Sequence, residues 1–363
     1  MGQNLKPDPY QKILDKATDK NIPFLMQFEL TSKCNLKCIH CYNVPEKKKL
    51  ELSTERIKSI LDELSYEGAL FMGFTGGEIL CREDFFEIAG HARKRNFALR
   101  LYTNATLITH EVADKIRDIQ PLTVEVSLYA TNPHIHDRIT GVPGSYAKTM
   151  SAINMLKKRG VNIVIKTVIM KENAREHDGL RAFADEIGAR SVYDYVIIPK
   201  IDGSKQPLGH CMSDLEIKDL LCRNVKTDAI NKGNLNSLEE LPDKDRPICG
   251  AARSGGCISA YGDVYPCVTW RVSLGNLKEK TFKEIWNSAK VNQIRDLTIG
   301  DMKYCSGCRL FYYCNHCPGM ALLETGDSLG LSPTACRAAE LKREAIHSSW
   351  LTTQSSEPTA HNP

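Results

Sequence analysis

The 363-residue chain contains no apolar run of 18 residues, so no membrane-spanning helix is expected. Its opening residues, Met1-Gly2-Gln3-Asn4-Leu5-Lys6, lack the apolar core of a secretory signal. Lys6 stands where N-myristoylation requires Ser or Thr. An excess of one charge is also missing. Lys and Arg number 48 against 44 Asp and Glu, and the resulting +4 is too small at this length to argue for nucleic acid. No G-x-G-x-x-G follows the first candidate strand, so a nicotinamide-dinucleotide enzyme has no support. What remains is an ordinary globular mix, 42% hydrophobic and 25% charged, long enough for two domains.

Cysteine is the exception, with 14 residues. In a chain without an export signal, and so expected in a reducing cytoplasm, cysteines in such number suit metal binding or catalysis better than disulfides. They are clustered: three lie at 34–41 and eight at 249–336. The first group reads Cys34-Asn35-Leu36-Lys37-Cys38-Ile39-His40-Cys41, a C-x3-C-x2-C spacing. Thiolates are the usual ligands of iron–sulfur clusters. A closed site needs four, so three leave one iron of a [4Fe–4S] cluster open. A zinc site is the rival reading, although zinc normally takes four ligands.

The apolar-rich stretch Phe24-Leu25-Met26-Gln27-Phe28-Glu29-Leu30 precedes this loop. It puts the cysteines at the carboxyl end of a strand, where α/β barrels and sheets keep their chemistry. Further strands are expected at 70–75, 97–103, 122–128, 162–169 and 192–198. Between them lie helical patterns at 53–66, 83–95, 110–119, 145–159 and 176–187. In the first, Ser53 is the expected N-cap and Ile57, Ile60, Leu61 and Leu64 share one face. This alternation implies βαβ units and a parallel sheet, an α/β fold. Residues 199–245 turn polar, with a weak helix at 213–223 and a linker at 238–245. The expected division is an N-terminal extension at 1–23, a first domain at 24–240, a cysteine-rich domain at 245–345 and a disordered tail at 346–363.

The C-x3-C-x2-C loop after a first strand, with His40 and Tyr42 flanking Cys41, resembles the radical S-adenosylmethionine (SAM) enzymes. The resemblance implies a partial (β/α)6 barrel. It also implies that SAM chelates the open iron and is cleaved to a 5′-deoxyadenosyl radical that abstracts hydrogen from a substrate. Cys34, Cys38 and Cys41 would hold the cluster, fed by a reducing partner such as flavodoxin or ferredoxin. Gly76, Gly77 and Glu78, after the second strand, match the family's SAM amino-group site. Asn104 at the third strand end, with Ala105 in place of the family's glycine, matches another SAM contact. Ser127 at the fourth, and Arg138 beyond it, sit where relatives contact ribose and carboxylate. His40 is a further cofactor-binding candidate. Lys166 can face the barrel interior, without an assigned role.

The second field resembles the SPASM extension of that family. Cys249, twelve intervening residues, Gly262, four more and Cys267 fit its first half. Cys305, Cys308, Cys314 and Cys317 follow, the last one residue closer than the family pattern, and then Cys336. By this resemblance Cys249, Cys257, Cys267 and Cys317 hold one auxiliary [4Fe–4S] cluster, and Cys305, Cys308, Cys314 and Cys336 a second. Cys81, Cys211 and Cys222 are left as ordinary side chains. Two structural zinc sites in a non-catalytic interaction protein form the rival reading. Relatives with two auxiliary clusters mostly modify peptides or proteins, so a peptide substrate is expected, with a small-molecule cofactor or sugar intermediate as the alternative. Val268, where sulfatase maturases carry Asp, disfavours that activity. Only 23 residues precede the first strand, so peptide recognition would call for a separate protein.

Overall fold

Alternating strand and helix segments assemble here as a barrel wall. The structure, a computed structural model, describes residues 9–44, 49–228, 240–314 and 316–354, without the side chains of 222–228 and 348–354. After helix α1 (Pro9–Asp19), six strands lie parallel: β1 (Leu25–Thr31), β2 (Phe71–Gly76), β3 (Ala98–Thr103), β4 (Thr123–Ser127), β5 (Ile163–Val168) and β6 (Arg190–Asp194). They are neighbours in sequence order, β1 to β6. The connecting helices are α2 (Thr54–Tyr66), α3 (Phe85–Lys94), α4 (His110–Ile119), α5 (Pro133–Thr140), α6 (Ser145–Lys158) and α7 (His177–Glu186). This is the partial (β/α)6 barrel, and a parallel order of this kind collects all six strand carboxyl ends on one rim.

Helix α2 shows how the sequence does this. Ser53 accepts the Arg56 N–H as N-cap, and Ile57, Ile60, Leu61 and Leu64 are buried. They pack in one core with Met26, Phe28 and Leu30 of β1 and with Phe74 of β2. The other face of β1, with Gln27 and Glu29, looks into the barrel. Two elements differ from expectation. The sixth strand spans 190–194 rather than 192–198, because Asp194 turns its carboxylate onto the Val196 N–H at 2.9 Å and ends the ladder. Helix α5 occupies a stretch where no element is expected; Asn132 caps it and Pro133 pre-sets its first turn.

Helix α8 (Asp214–Asp228) follows the barrel, and the second half then joins its sheet. Strand β7 (Gly255–Ile258) pairs in parallel with β1, Leu25 opposite Gly255 and Gln27 opposite Cys257. Strands β8 (Asp263–Tyr265) and β9 (Gly275–Asn276) continue antiparallel, giving nine strands. Gly262 turns the β7–β8 hairpin at φ +92°. Four helices complete the chain: α9 (Phe282–Trp286), α10 (Ala289–Arg295), α11 (Pro318–Thr325) and α12 (Pro333–Gln354). Helix α12 carries on through 346–354, where a disordered tail was expected. Residues 355–363 lie outside the described residues, as do 1–8 of the N-terminal extension, 238–239 of the linker and the Cys222 side chain. No described helix is long and apolar enough to cross a membrane.

Candidate active site

The cysteine loop leaves β1 and is strapped down from three sides. From β2, Gly77 N–H donates to Thr31 O and Glu78 N–H to Lys33 O, both at 2.8 Å. A Cβ on Gly76 (φ +130°) would meet Thr31 O at 2.2 Å, and one on Gly77 would meet Lys33 O at 2.1 Å. Only glycine lets the two backbones lie this close. From α5, Thr140 O and Ile139 O accept the N–H groups of Lys37 and Ile39 at 2.9 and 3.0 Å. From the segment after β6, Ile201 N–H donates to Tyr42 O at 3.0 Å.

The loop borders a cavity of about 760 Å³ at the strand carboxyl ends. Cys34, Cys38, His40, Cys41, Gly76, Gly77, Asn104 and Ser127 all line it. Glu78 and Arg138 do not. Glu78 is fully buried beneath the rim, where its carboxylate accepts from Thr103 Oγ1 and Asn104 N–H, both at 2.7 Å, and from Leu80 N–H at 3.2 Å. It braces β2 to β3, and burial still pushes its carboxyl above the usual carboxylate range despite these three donors. Arg138 is exposed on α5, beside the turn that holds the cysteine loop. Asn104 donates its amide to Asn35 Oδ1 at 2.9 Å and to Cys34 Sγ at 3.9 Å.

The thiols are electrostatic neighbours: Cys41 makes both Cys34 and Cys38 harder to ionise, and Cys34 does the same for Cys38. Burial pushes Cys34 up to about 11 and Cys38 to about 12, and the adjacent thiols add to it. Burial also holds the His40 imidazole neutral by taking it down to about 4. Its ring meets Tyr129 edge-on at 4.8 Å, and its Nδ1 is buried with no partner among the described residues. Three crowded thiols on one cavity wall call for a cation that shares their charge, and an iron–sulfur core supplies one.

The second field forms two groups. Cys249, Cys267 and Cys317 are mutual electrostatic neighbours, with Cys257 beside Cys267. Cys305, Cys308, Cys314 and Cys336 form the other group. Among the described residues no three His, Cys, Asp or Glu side chains surround a single-ion position. What converges instead is broader sets of thiols. Six of the eleven share a feature: the N–H two residues on donates to the sulfur of Cys34 (Leu36, 3.4 Å) and of Cys267 (Thr269, 3.3 Å). Asn43, Ala251, His316 and Gly319 do the same for Cys41, Cys249, Cys314 and Cys317. Such N–H···S bonds stabilise thiolates and tune cluster potentials. The donor set therefore fits iron–sulfur clusters. Of the three leftover cysteines, Cys81 is an electrostatic neighbour of Cys34, and Cys211 packs in the small core beside Cys38.

Comparison with known proteins agrees with this donor set. The radical SAM superfamily model matches residues 28–184, and the SPASM model, an iron–sulfur cluster-binding domain, matches 249–309. This is a radical SAM enzyme with a SPASM domain. It uses [4Fe–4S] clusters and S-adenosylmethionine, and the zinc-protein reading gives way. The radical SAM chain is 29% identical over 339 residues to an AdoMet-dependent heme synthase of Methanosarcina barkeri, covering 86% of this chain and 96% of that one. It is 28% identical over 286 residues to the mycofactocin maturase MftC of Mycolicibacterium smegmatis, covering 74% and 71%. Its fold matches Streptococcus suis SuiB bound to precursor peptide SuiA, with TM-score 0.68, 18% identity, and 93% and 83% coverage.

Tyr129 and Arg271 of this radical SAM enzyme carry no signal in the sequence, and Lys166, expected to face the barrel interior, does so. Tyr129 is buried with its hydroxyl bonded to Cys38 and Ser127. Lys166 Nζ lies 3.4 Å from the buried Glu125 carboxylate and 5.1 Å over the Tyr102 ring, and it lines the cavity. Arg271 of the SPASM half forms a two-pronged ion pair with Glu29 of β1, with Nη1 at 2.9 Å from Oε2. Tyr42 and Cys257 are electrostatic neighbours of this pair, so it stands between the two halves. Breaking a half-buried pair leaves one charge partly uncompensated. Arg271→Ala is expected to destabilise the fold in chemical denaturation by about 1–3 kcal/mol, and Glu29→Gln/Arg271→Met together should recover most of that loss.

Proposed function

We propose that this enzyme abstracts hydrogen from a peptide side chain presented at the β6 side of the cavity. Cys34, Cys38 and Cys41 are assigned to the SAM-binding cluster, and the two SPASM sets to auxiliary clusters. Bound there, cluster and SAM supply the carbon radical. The chain's own residues then have separate tasks. Gly76, Gly77, Asn104, Ser127 and the neutral His40 surround the SAM space. Tyr129 and Asn104 hold the cysteine sulfurs. Lys166, fixed by Glu125 and Tyr102, offers N–H groups to the substrate.

One observation carries the peptide reading: β6 is the outer strand of the sheet, and its Val192, Tyr193 and Asp194 line the cavity. An extended chain can therefore reach in along an unclosed wall. A tetrapyrrole is the second reading, favoured by the heme synthase relative that this chain matches over 96% of its length.

Anaerobically reconstituted enzyme, SAM and dithionite are incubated with deuterated short peptides encoded beside the gene, and separately with Fe-coproporphyrin III. The expected result is deuterium in 5′-deoxyadenosine and a mass change in a peptide. A new porphyrin product without any peptide product would overturn the peptide reading. Lys166→Met is expected to slow substrate-dependent turnover by about 10–100-fold while background SAM cleavage persists, since one oriented proton donor contributes on that scale or more.

A further inference from the structure

Glu324 stands where the two cysteine sets of the SPASM half meet. Helix α11 has Cys317 as its N-cap, and Glu324 follows two turns later on the same face. Its Oε2 accepts from Ser332 Oγ at 2.7 Å and from Thr334 N–H at 3.4 Å. Ser332 in turn accepts the Cys336 N–H on its carbonyl at 2.9 Å. One carboxylate thus bolts the helix headed by Cys317 to the start of the helix that carries Cys336. Its other oxygen, Oε1, is buried without a hydrogen-bond partner among the described residues.

That arrangement is a poor device for stability alone. A buried acceptor left unmade costs about 1–3 kcal/mol, more when charged, and a Gln could keep the bolt without the charge. The nearby cation, Arg337, is engaged elsewhere, with Asp214 and with Met212 O at 2.9 Å. The carboxylate sits two helical turns from Cys317, about 10 Å along the axis, and its partners Ser332 and Thr334 lie within about one turn of Cys336. A fixed anion next to a cluster favours its oxidised state, because reduction adds negative charge beside it.

We propose that Glu324 is a positioning residue whose carboxylate holds down the reduction potentials of both auxiliary clusters together. The inference rests on the assignment of the two SPASM cysteine sets to clusters. It makes the pair respond to one charge, so the step of electron transfer between them keeps a near-constant driving force whatever that charge does.

The test is an EPR-monitored redox titration of reconstituted full-length enzyme, wild type against Glu324→Gln and Glu324→Asp. Glu324→Gln is expected to raise both auxiliary potentials by about tenfold in the one-electron equilibrium, ~59 mV each, with the SAM-binding cluster and the iron content unchanged. Glu324→Asp should stay close to wild type. Unchanged potentials at full iron content, or a shift in only one auxiliary cluster, would overturn the proposal. Iron lost from Glu324→Gln but kept in Glu324→Asp would also overturn it, by making the carboxylate a packing element. Wild-type enzyme with iron for one cluster only would sink the cluster assignment instead.

Discussion

Replacing Cys34, Cys38 and Cys41 together by alanine is expected to lower bound iron from about twelve to about eight per chain and to abolish SAM cleavage under dithionite. The size of the effect follows from where the thiols stand. They lie on one loop at the mouth of the only rim that gathers β1 to β6, and no other cysteine set borders the cavity. The two SPASM sets draw their N–H···S donors from their own half, such as Thr269 for Cys267, so their eight irons should survive. Iron and sulfide analysis with a SAM-cleavage assay reads both numbers. Cleavage that persists in the triple variant would remove this loop from the chemistry.

Gly77→Ala is expected to be nearly as damaging without touching a sulfur. The added Cβ would stand 2.1 Å from Lys33 O and 2.8 Å from Ser32 O, both backbone atoms that no rotamer change can move away. To relieve that overlap, the strap from β2 must lift off the cysteine loop, breaking the bonds to Thr31 O and Lys33 O. Overpacking usually costs about 1–3 kcal/mol, and a backbone-on-backbone clash belongs at or above the upper end. Most of that loss should fall on the loop, so the SAM-binding cluster is expected to be incompletely loaded while circular dichroism stays native. Gly90→Ala, whose Cβ would meet nothing within 4 Å, is the matched control. Full iron and wild-type cleavage in Gly77→Ala would refute the strap.

The barrel was legible because its signals are local. Ser53, Ile57, Ile60, Leu61 and Leu64 announce α2 within twelve residues, and the structure uses each as read. The cysteine loop was legible because three ligands on one loop need no long-range information. What the sequence hid is pairwise and distant. Glu29 and Arg271 are 242 positions apart, and neither has a local pattern that names the other. Lys166 and Glu125 meet because β4 and β5 pair in a register that only the folded sheet fixes. Helix α5 was missed although Asn132-Pro133 is a start signal, because eight residues are too few for a convincing apolar period. Glu78 belongs to the motif expected to contact the cofactor, and the structure adds that its buried carboxylate braces β2 to β3. A motif records which residues recur together, whereas the side-chain direction depends on the neighbouring strand.

The pairing of β1 with β7 also bears on how the protein is made. Leu25 and Gly255 are partners separated by 230 residues (255 − 25), so one edge of β1 has no partner on the ribosome until that much more chain has been translated. At about 5–20 residues per second the wait is roughly 10–50 s. Throughout it, Leu25-Met26-Gln27-Phe28 presents open hydrogen-bonding groups beside an apolar face, the template on which nascent chains aggregate. Yield in a heterologous host is thus set by a race between translation of the SPASM half and self-association of the first.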